Sequence, residues 1–181
     1  MITSRFAILL ACLIACGGCA SRPAKPLNTA KFVDLSRYAG KWYEIARLPN
    51  RFQLDDARAT AEYSLNTDGA LGVVNTETRR NGIKKSVEGT ATVVSGSNGS
   101  RLRVKFSGLA GLAPASSEGN YWIISLAPDY SAALVGVPNR KYLWLLARRP
   151  EYPTLSRNRY LDIARSEGFD TSKVIIADWP R

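Results

Sequence analysis

The feature that most restricts the fold of this chain is a succession of short strand-like runs that no helix interrupts. From about residue 40 onward, apolar and polar residues alternate in segments separated by turn-forming residues. The runs, eight in number, cover residues 41–48, 58–66, 70–80, 83–95, 101–107, 120–127, 131–137 and 142–148. Asn81-Gly82, between two of them, is a strong hairpin signal. Adjacent strands are therefore predicted to pair antiparallel, as an up-and-down meander.

Helical signals come only after the eighth run. Thr154 or Ser156 can cap a helix, and Gly168 ends it. Its apolar face is provided by Tyr160, Leu161, Ile163 and Ala164. A last apolar run, 174–177, can add one edge strand. Eight strands is the number at which a closed barrel can hold one small ligand, although a flat sandwich is the competing architecture. The predicted fold class is all-β: an eight-stranded antiparallel up-and-down β-barrel with a C-terminal α-helix.

The connections between the strands differ in charge. In a meander barrel, the first, third, fifth and seventh connections open at one end, and here they cover about 49–57, 80–83, 108–119 and 138–141. These connections and their flanks hold Arg51, Arg58, Arg79, Arg80, Lys84, Lys85, Arg140 and Lys141, against Asp55, Asp56 and Glu118. The longest connection, 108–119, is small and apolar, as a flexible lip would be. We therefore predict a cationic mouth at this end of the barrel.

Composition removes most catalytic and metal-binding chemistry. The chain contains no histidine, and its cysteines, Cys12, Cys16 and Cys19, all precede residue 20. The most common general base and metal ligand is absent, and no disulfide or thiolate zinc site can form later in the chain. We accordingly predict no catalytic residue, no metal site and no cofactor. The net charge of +10 could suit nucleic acid, but the basic residues are scattered without stacking aromatics, so nucleic acid is not predicted as a partner.

The amino terminus has the pattern of a secretion and lipidation signal. A basic start, 1–5, precedes the apolar run 6–15, which is too short to span a bilayer but suits a secretory signal. Leu13-Ile14-Ala15-Cys16 resembles the bacterial lipoprotein processing box, which implies cleavage before Cys16 and its acylation, with Cys19 as a weaker alternative. The predicted organisation is a signal peptide over 1–15, a lipidated N-terminus and tether over 16–31, and a barrel domain over 32–181.

The end opposite the mouth brings together the first and eighth strands if the barrel closes. Trp42 near the start of strand one and Arg148 at the end of strand eight can then stack, as a guanidinium over an indole face. The turn over residues 34–38 would cross beneath them and cap the floor. We interpret Gly40, Trp42 and Arg148 as structural residues that close the barrel, and not as a catalytic site.

These residues carry a family resemblance. Gly40-Lys41-Trp42-Tyr43-Glu44 is similar to the GxW motif of lipocalins, and Asp129-Tyr130 and Arg148 resemble the two other short signatures of that family. The resemblance covers residues 33–178, and by motif it is strongest to the bacterial outer-membrane lipocalins and to apolipoprotein D. It implies a barrel that binds a lipid ligand.

Strand alternation then predicts which side chains face the cavity. If Arg148 points inward, so do Tyr142, Trp144 and Leu146; if Trp42 points inward, so do Glu44 and Ala46. The resemblance to apolipoprotein D implies that Asn75, Glu77 and Arg79 also face the cavity, and Glu77 is predicted to pair with Arg79. The ligand-binding set is therefore Glu44, Ala46, Asn75, Glu77, Arg79, Tyr142, Trp144 and Leu146.

The expected lining of the cavity changes from apolar walls to a cationic rim. This gradient suits an amphiphile with its acyl chain inside the cavity and its anionic head group at the lip. The expected function is binding, and transport or storage, of fatty acids or lysophospholipids in the cell envelope. The expected location is the outer membrane, lipid-anchored and facing the periplasm, because no Asp follows Cys16 as an inner-membrane retention signal. A lipid-modifying enzyme and a structural envelope lipoprotein without a ligand are the alternatives, and monomer or homodimer stays open.

Overall fold

The structure is a computed structural model that describes residues 25–108 and 117–180. The predicted signal peptide, Cys16, Cys19 and most of the predicted lip lie outside the described residues. Within them, no helix is long and apolar enough to cross a bilayer.

The predicted strands form a closed antiparallel barrel. The eight barrel strands are β1 Gly40–Arg47, β2 Arg58–Leu65, β3 Leu71–Thr78, β4 Lys84–Val93, β5 Arg101–Phe106, β6 Tyr121–Leu126, β7 Ala132–Gly136 and β8 Leu143–Ala147. Each strand pairs with the next, and β1 pairs with both β2 and β8. That last pairing closes the sheet on itself, so the barrel is confirmed and the sandwich is excluded.

The helical segments lie outside the sheet. Helix α1, Leu35–Tyr38, precedes β1, and helix α2, Thr154–Ser166, follows β8. Strand β9, Ile175–Ile176, pairs with β1, which confirms the predicted edge strand. The predicted cap is wrong: Pro153 occupies the N-cap position without a side-chain hydrogen bond, and Thr154 is already helical. Proline tolerates this position because it has no N–H to satisfy.

The apolar side chains form two separate clusters, one on each side of the barrel wall. The inner cluster includes Tyr38, Trp42 and Leu71, and it fills the end of the barrel where β1 begins. The outer cluster includes Leu145 of β8 and Phe169, and it packs α2 and the C-terminal segment against the wall. Gly136 permits that contact, because a Cβ there would lie 2.6 Å from the Phe169 ring.

The described part of the predicted tether lies along the barrel wall. The Ala30 amide donates to the Ile123 carbonyl at 2.9 Å, and the Asn28 side chain donates to Glu167 at 2.6 Å. Arg140, in the connection between β7 and β8, donates to the carbonyl oxygen of Lys25. Residues 25–31 therefore run from the mouth end towards the floor of the barrel.

Candidate functional site

The barrel encloses a cavity of about 300 Å³. Its apolar wall consists of Ala59, Ala61, Val73, Val87, Val104, Phe106, Trp144 and Leu146, with Tyr63 and Tyr121. The remaining lining consists of the polar residues Glu44, Gln53, Thr60, Asn75, Thr76, Glu77 and Lys85, together with Asn50, Arg51 and the apolar Phe52 of the β1–β2 connection. Because that connection and Lys85 lie at the end predicted as the mouth, the lining becomes more polar and charged towards that end.

The opposite end is closed by Arg148. Its guanidinium carbon lies 3.8 Å from the centre of the Trp42 ring, which confirms the predicted stack. The guanidinium donates to the carbonyl oxygens of Arg37 at 2.7 Å, Ala39 at 2.9 Å and Lys41 at 3.0 Å. It therefore joins the end of β8 to α1 and to the start of β1.

Gly40 leaves room for this contact. Its φ of +93° lies in the region that favours glycine, and a Cβ there would lie 3.3 Å from Nη1 of Arg148. The adjacent β6–β7 turn joins the same assembly, because the Tyr130 hydroxyl accepts from the Asp34 amide at 2.9 Å. The residues that carry the three family signatures thus meet at the floor of the barrel.

Hydrogen-bonded phenols separate the floor from the cavity. Tyr63 donates to the Tyr121 hydroxyl at 2.9 Å, and the Tyr121 and Tyr38 hydroxyls are 2.7 Å apart. Burial raises the pKa of Tyr63 to about 12 and raises the pKa of Tyr38 and of Tyr121 as well. These groups therefore stay neutral, and Tyr63 and Tyr121 present hydroxyls at the inner end of an otherwise apolar wall.

A buried charged pair lies on the β1 side of the cavity. Glu44 accepts from Nε2 of Gln53 at 3.0 Å, and its Oε1 is 3.2 Å from Nε of Arg47. Glu44 and Arg47 are only 4% and 1% exposed. Burial raises the pKa of Glu44 to about 7, against the opposing effects of Arg47 and the Gln53 hydrogen bond. Sequence reasoning missed Arg47 and Gln53, because no local pattern indicates either contact.

A β-bulge explains why Arg47 is buried and corrects one prediction. Glu44 pairs with Leu146 of β8, whereas Ala46 pairs with Leu145, so β1 gains one residue between these pairs. The extra residue reverses the alternation that follows it. The prediction that Ala46 points inward is therefore wrong: Ala46 lies in the outer cluster and pairs with Ile176 of β9.

The other predicted residues lie in or beside the cavity. Five of them line it, namely Glu44, Asn75, Glu77, Trp144 and Leu146. Tyr142 is outside the lining and stacks on Trp144, with ring centres 6.0 Å apart. Arg79 is also outside the lining, because β3 ends at Thr78 and its side chain turns towards solvent at the mouth. Its Nε lies 3.3 Å from Oε1 of Glu77, which confirms the predicted pair.

Comparison with known proteins agrees with this architecture. A family model described as a lipocalin-like domain matches residues 33–178. Temperature-induced lipocalin-1 of Arabidopsis thaliana is 39% identical over 154 residues, covering 83% of this chain and 81% of that protein. Outer membrane lipoprotein Blc of Vibrio cholerae is 34% identical over 173 residues, covering 94% of this chain and 96% of that protein. Apolipoprotein D of Bos taurus is 31% identical over 153 residues, covering 80% and 76%.

A solved structure has the same fold. Insecticyanin from the tobacco hornworm Manduca sexta matches with a TM-score of 0.62 at 21% identity, covering 88% of this chain and 86% of that chain. The resemblance predicted from the short signatures is thus confirmed by sequence matches over most of the chain and by the shape of the barrel. The chain belongs to the lipocalin family, whose members are known for binding small hydrophobic ligands.

Proposed function

We propose that this lipocalin binds single-chain amphiphilic lipids, namely fatty acids or lysophospholipids, and carries or stores them in the cell envelope. The observation that carries the proposal is the cavity itself, which is apolar at its inner end and polar and cationic towards its mouth. An acyl chain matches the inner wall, around Trp144 and Leu146. An anionic head group matches the mouth, where Arg51 and Lys85 lie.

The size of the cavity favours one acyl chain over two. About 300 Å³ is at the lower end of the range for small-molecule sites, so a phospholipid with two chains would not fit. Each buried methylene contributes about 0.8 kcal/mol, and ten contribute roughly 8 kcal/mol before the costs of association. Those costs are roughly 4–15 kcal/mol, so ten methylenes leave at most about 4 kcal/mol, which corresponds to a Kd of about 1 mM, and tighter binding requires a longer buried chain or contacts to the head group.

Polar groups in the wall also suit a head group. The Asn75 side-chain oxygen is buried and has no hydrogen-bond partner among the described residues, although Asn75 lines the cavity. A hydroxyl on the ligand, such as that of a lysophospholipid glycerol, would satisfy it. Glu77, held by Arg79, and Tyr142 beside Trp144 complete the set that we propose to contact the ligand near the mouth.

We further propose that the protein is lipid-anchored at Cys16 in the outer membrane and faces the periplasm. Leu13-Ile14-Ala15-Cys16 has the form of a lipoprotein processing box, and Cys19 is the alternative acylation site. Relatives named outer membrane lipoprotein, in Vibrio cholerae and Escherichia coli, are 34% and 35% identical over 94% and 93% of this chain, which supports the location.

The binding proposal is tested by titrating the purified full chain with the fluorescent fatty acid cis-parinaric acid and displacing it with a lysophospholipid. Trp144→Ala removes an aromatic wall, and Ala59→Phe places a ring in the cavity; each is expected to weaken binding roughly tenfold or more. Phe32→Ala is the matched control, because Phe32 is an exposed aromatic outside the barrel.

The variants also separate binding from folding. Urea unfolding of Ala59→Phe is expected to show a folded protein, since Ala59 faces open space and not packed side chains. Unchanged affinity in both cavity variants would place the ligand elsewhere and overturn the proposal. A lysophospholipid that does not displace the probe would restrict the ligand class to fatty acids.

A further inference from the structure

The connections between strands differ in charge at the two ends of the barrel. The connections at the floor, 66–70, 94–100 and 127–131, contain Asp68 and Asp129 but no lysine or arginine. The connections at the mouth contain Arg51, Arg79, Arg80, Arg140 and Lys141, against Asp55, Asp56 and Glu118. The floor has other basic residues, namely Arg37, Lys41, Arg148 and Arg149, but they lie before β1, at its start or after β8, and Arg37 and Arg148 stack there on Tyr130 and Trp42. Within the connections between strands, basic residues occur only at the end where the cavity opens.

Exposed apolar side chains accompany these cations. Ile83 is 54% exposed at the tip of the β3–β4 hairpin, with Arg79 and Arg80 on one side and Lys84 and Lys85 on the other. Leu54, 49% exposed, lies nearby, because its amide donates to Oε2 of Glu77 near the end of β3 at 3.4 Å. An apolar tip between cations is the combination that suits the interface of an anionic bilayer.

The path of the chain also leads to the mouth. The Lys25 carbonyl oxygen accepts from Arg140 in the β7–β8 connection, so the chain reaches the barrel wall at the open end. Lys25 follows Cys16 by nine positions, and such a segment spans at most about 30 Å at about 3.3 Å per residue. The ten residues of β4, tilted by roughly 40°, give the barrel a height of about 25 Å. With a lipid on Cys16, the mouth can therefore contact the membrane while the connecting segment stays slack, whereas the floor can do so only if that segment is almost fully extended along the wall.

From these observations we infer that the mouth end is a membrane-docking surface, on which Ile83 and Leu54 enter the head-group region of an anionic bilayer and the surrounding cations contact lipid phosphates. The occupant is a bilayer surface and not a soluble protein. The inference rests on the lipid anchor of the proposed function. In this arrangement the cavity opens directly onto the membrane, so a single-chain lipid enters it without crossing water.

The test compares two hairpins that share β3. Ile83→Cys places a label at the mouth, and Leu65→Cys places one at the floor, where Leu65 is 48% exposed and close to Asp68. Each variant also carries Cys19→Ser, so that the dye reacts only with the introduced cysteine. The acyl group blocks the thiol of Cys16, and Cys12 is removed with the predicted signal peptide. The purified lipoprotein is labelled with the environment-sensitive dye NBD and reconstituted into vesicles of phosphatidylethanolamine and phosphatidylglycerol that contain a nitroxide-labelled lipid.

We expect the label at position 83 to be quenched several-fold more strongly than the label at position 65. Arg80→Glu combined with Lys84→Glu is expected to abolish the difference, because it reverses two charges beside Ile83 and leaves the cavity lining unchanged. Equal quenching at both positions, or stronger quenching at position 65, would overturn the inference. Burial of the label at position 83 in vesicle-free solution would overturn it in favour of a contact between two copies.

Mass spectrometry of the purified protein distinguishes a failure of the anchor proposal from a failure of the docking inference. If the purified natural chain, which retains both Cys16 and Cys19, carries no acyl group, the anchor proposal fails, and docking is then measured by sedimentation of the chain with the same vesicles. Arg80→Glu with Lys84→Glu is expected to lower sedimentation at least about tenfold, and Leu65→Asp is expected to leave it unchanged. No loss in the charge-reversed variant would overturn docking, while the fatty-acid titration would still report on the cavity independently.

Discussion

At the residue scale, Glu44 and Arg47 are charged side chains that the fold removes almost completely from water. Removing a carboxylate from water disfavours its ionised form, and the neighbouring guanidinium compensates only in part. The guanidinium stabilises the carboxylate incompletely because Nε of Arg47 lies close to Oε1 of Glu44 without forming a hydrogen bond to it. Glu44 therefore exchanges its proton at a pH where exposed carboxylates are fully ionised.

This pKa makes stability depend on pH. The pKa of Glu44 rises from 4.5, its ordinary value, to about 7 in the folded protein. The folded state then binds more protons than the unfolded state between these values, so the free energy of unfolding decreases as the pH rises from 4.5 to about 7. The contribution is complete below that window, is lost across it, and amounts to roughly 3 kcal/mol at most.

Urea unfolding at several pH values measures this effect. Glu44→Gln cannot ionise, so we expect the stability of the natural protein relative to this variant to decrease across the window and to be constant above it. Glu62→Gln, an exposed glutamate on β2, is the control for general effects of charge. A difference between Glu44→Gln and the natural protein that does not change with pH would contradict the prediction.

At the element scale, one side chain joins segments that the chain order keeps apart. Arg148 contacts α1, the start of β1 and, through the Tyr130 carbonyl at 3.3 Å, the turn between β6 and β7. A planar guanidinium can satisfy several carbonyl oxygens and stack on Trp42 at the same time, which an ammonium group cannot do. Closure of the barrel floor therefore depends on the shape of this group as well as on its charge.

We expect Arg148→Ala and Arg148→Lys both to lower the free energy of unfolding by roughly 2–4 kcal/mol, because the stack and charge-assisted hydrogen bonds are lost. Affinity for a fatty acid is expected to change little, since Arg148 does not line the cavity. Arg149→Ala, at an exposed neighbour, is the control. Equal stability of Arg148→Lys and the natural protein in urea would show that charge alone closes the floor.

At the scale of the whole molecule, the barrel holds a packed floor and an open cavity in one sheet. A ligand that binds only the folded barrel stabilises it by an amount that grows with the logarithm of ligand concentration. At a fatty-acid concentration one hundred times Kd, we expect about 2.7 kcal/mol of added stability, measured as a rise in Tm. Ala59→Phe is expected to lose most of this rise, and an equal rise in that variant would indicate binding outside the cavity.

The parts of the cavity lining that were predicted correctly depend on regular alternation. Strand β8 is continuous from Leu143 to Ala147, so the inward direction of Arg148 correctly placed Trp144 and Leu146 on the cavity wall. The same procedure failed in β1, where the bulge lies between Glu44 and Ala46. Nothing in the local sequence marks that bulge, because it results from the pairing of β1 with β8.

The order of the strands, the cationic connections at one end and the signature residues at the other can be predicted from the amino-acid sequence alone. These follow from local preferences, since turn residues and alternation act over a few neighbouring positions. The closure of the sheet, the inward position of Arg47 in place of Ala46 and the burial of Glu44 beside it become apparent only in the folded barrel. Those outcomes depend on contacts between residues far apart in the chain, and burial, which shifts the pKa of Glu44, exists only once these contacts have formed.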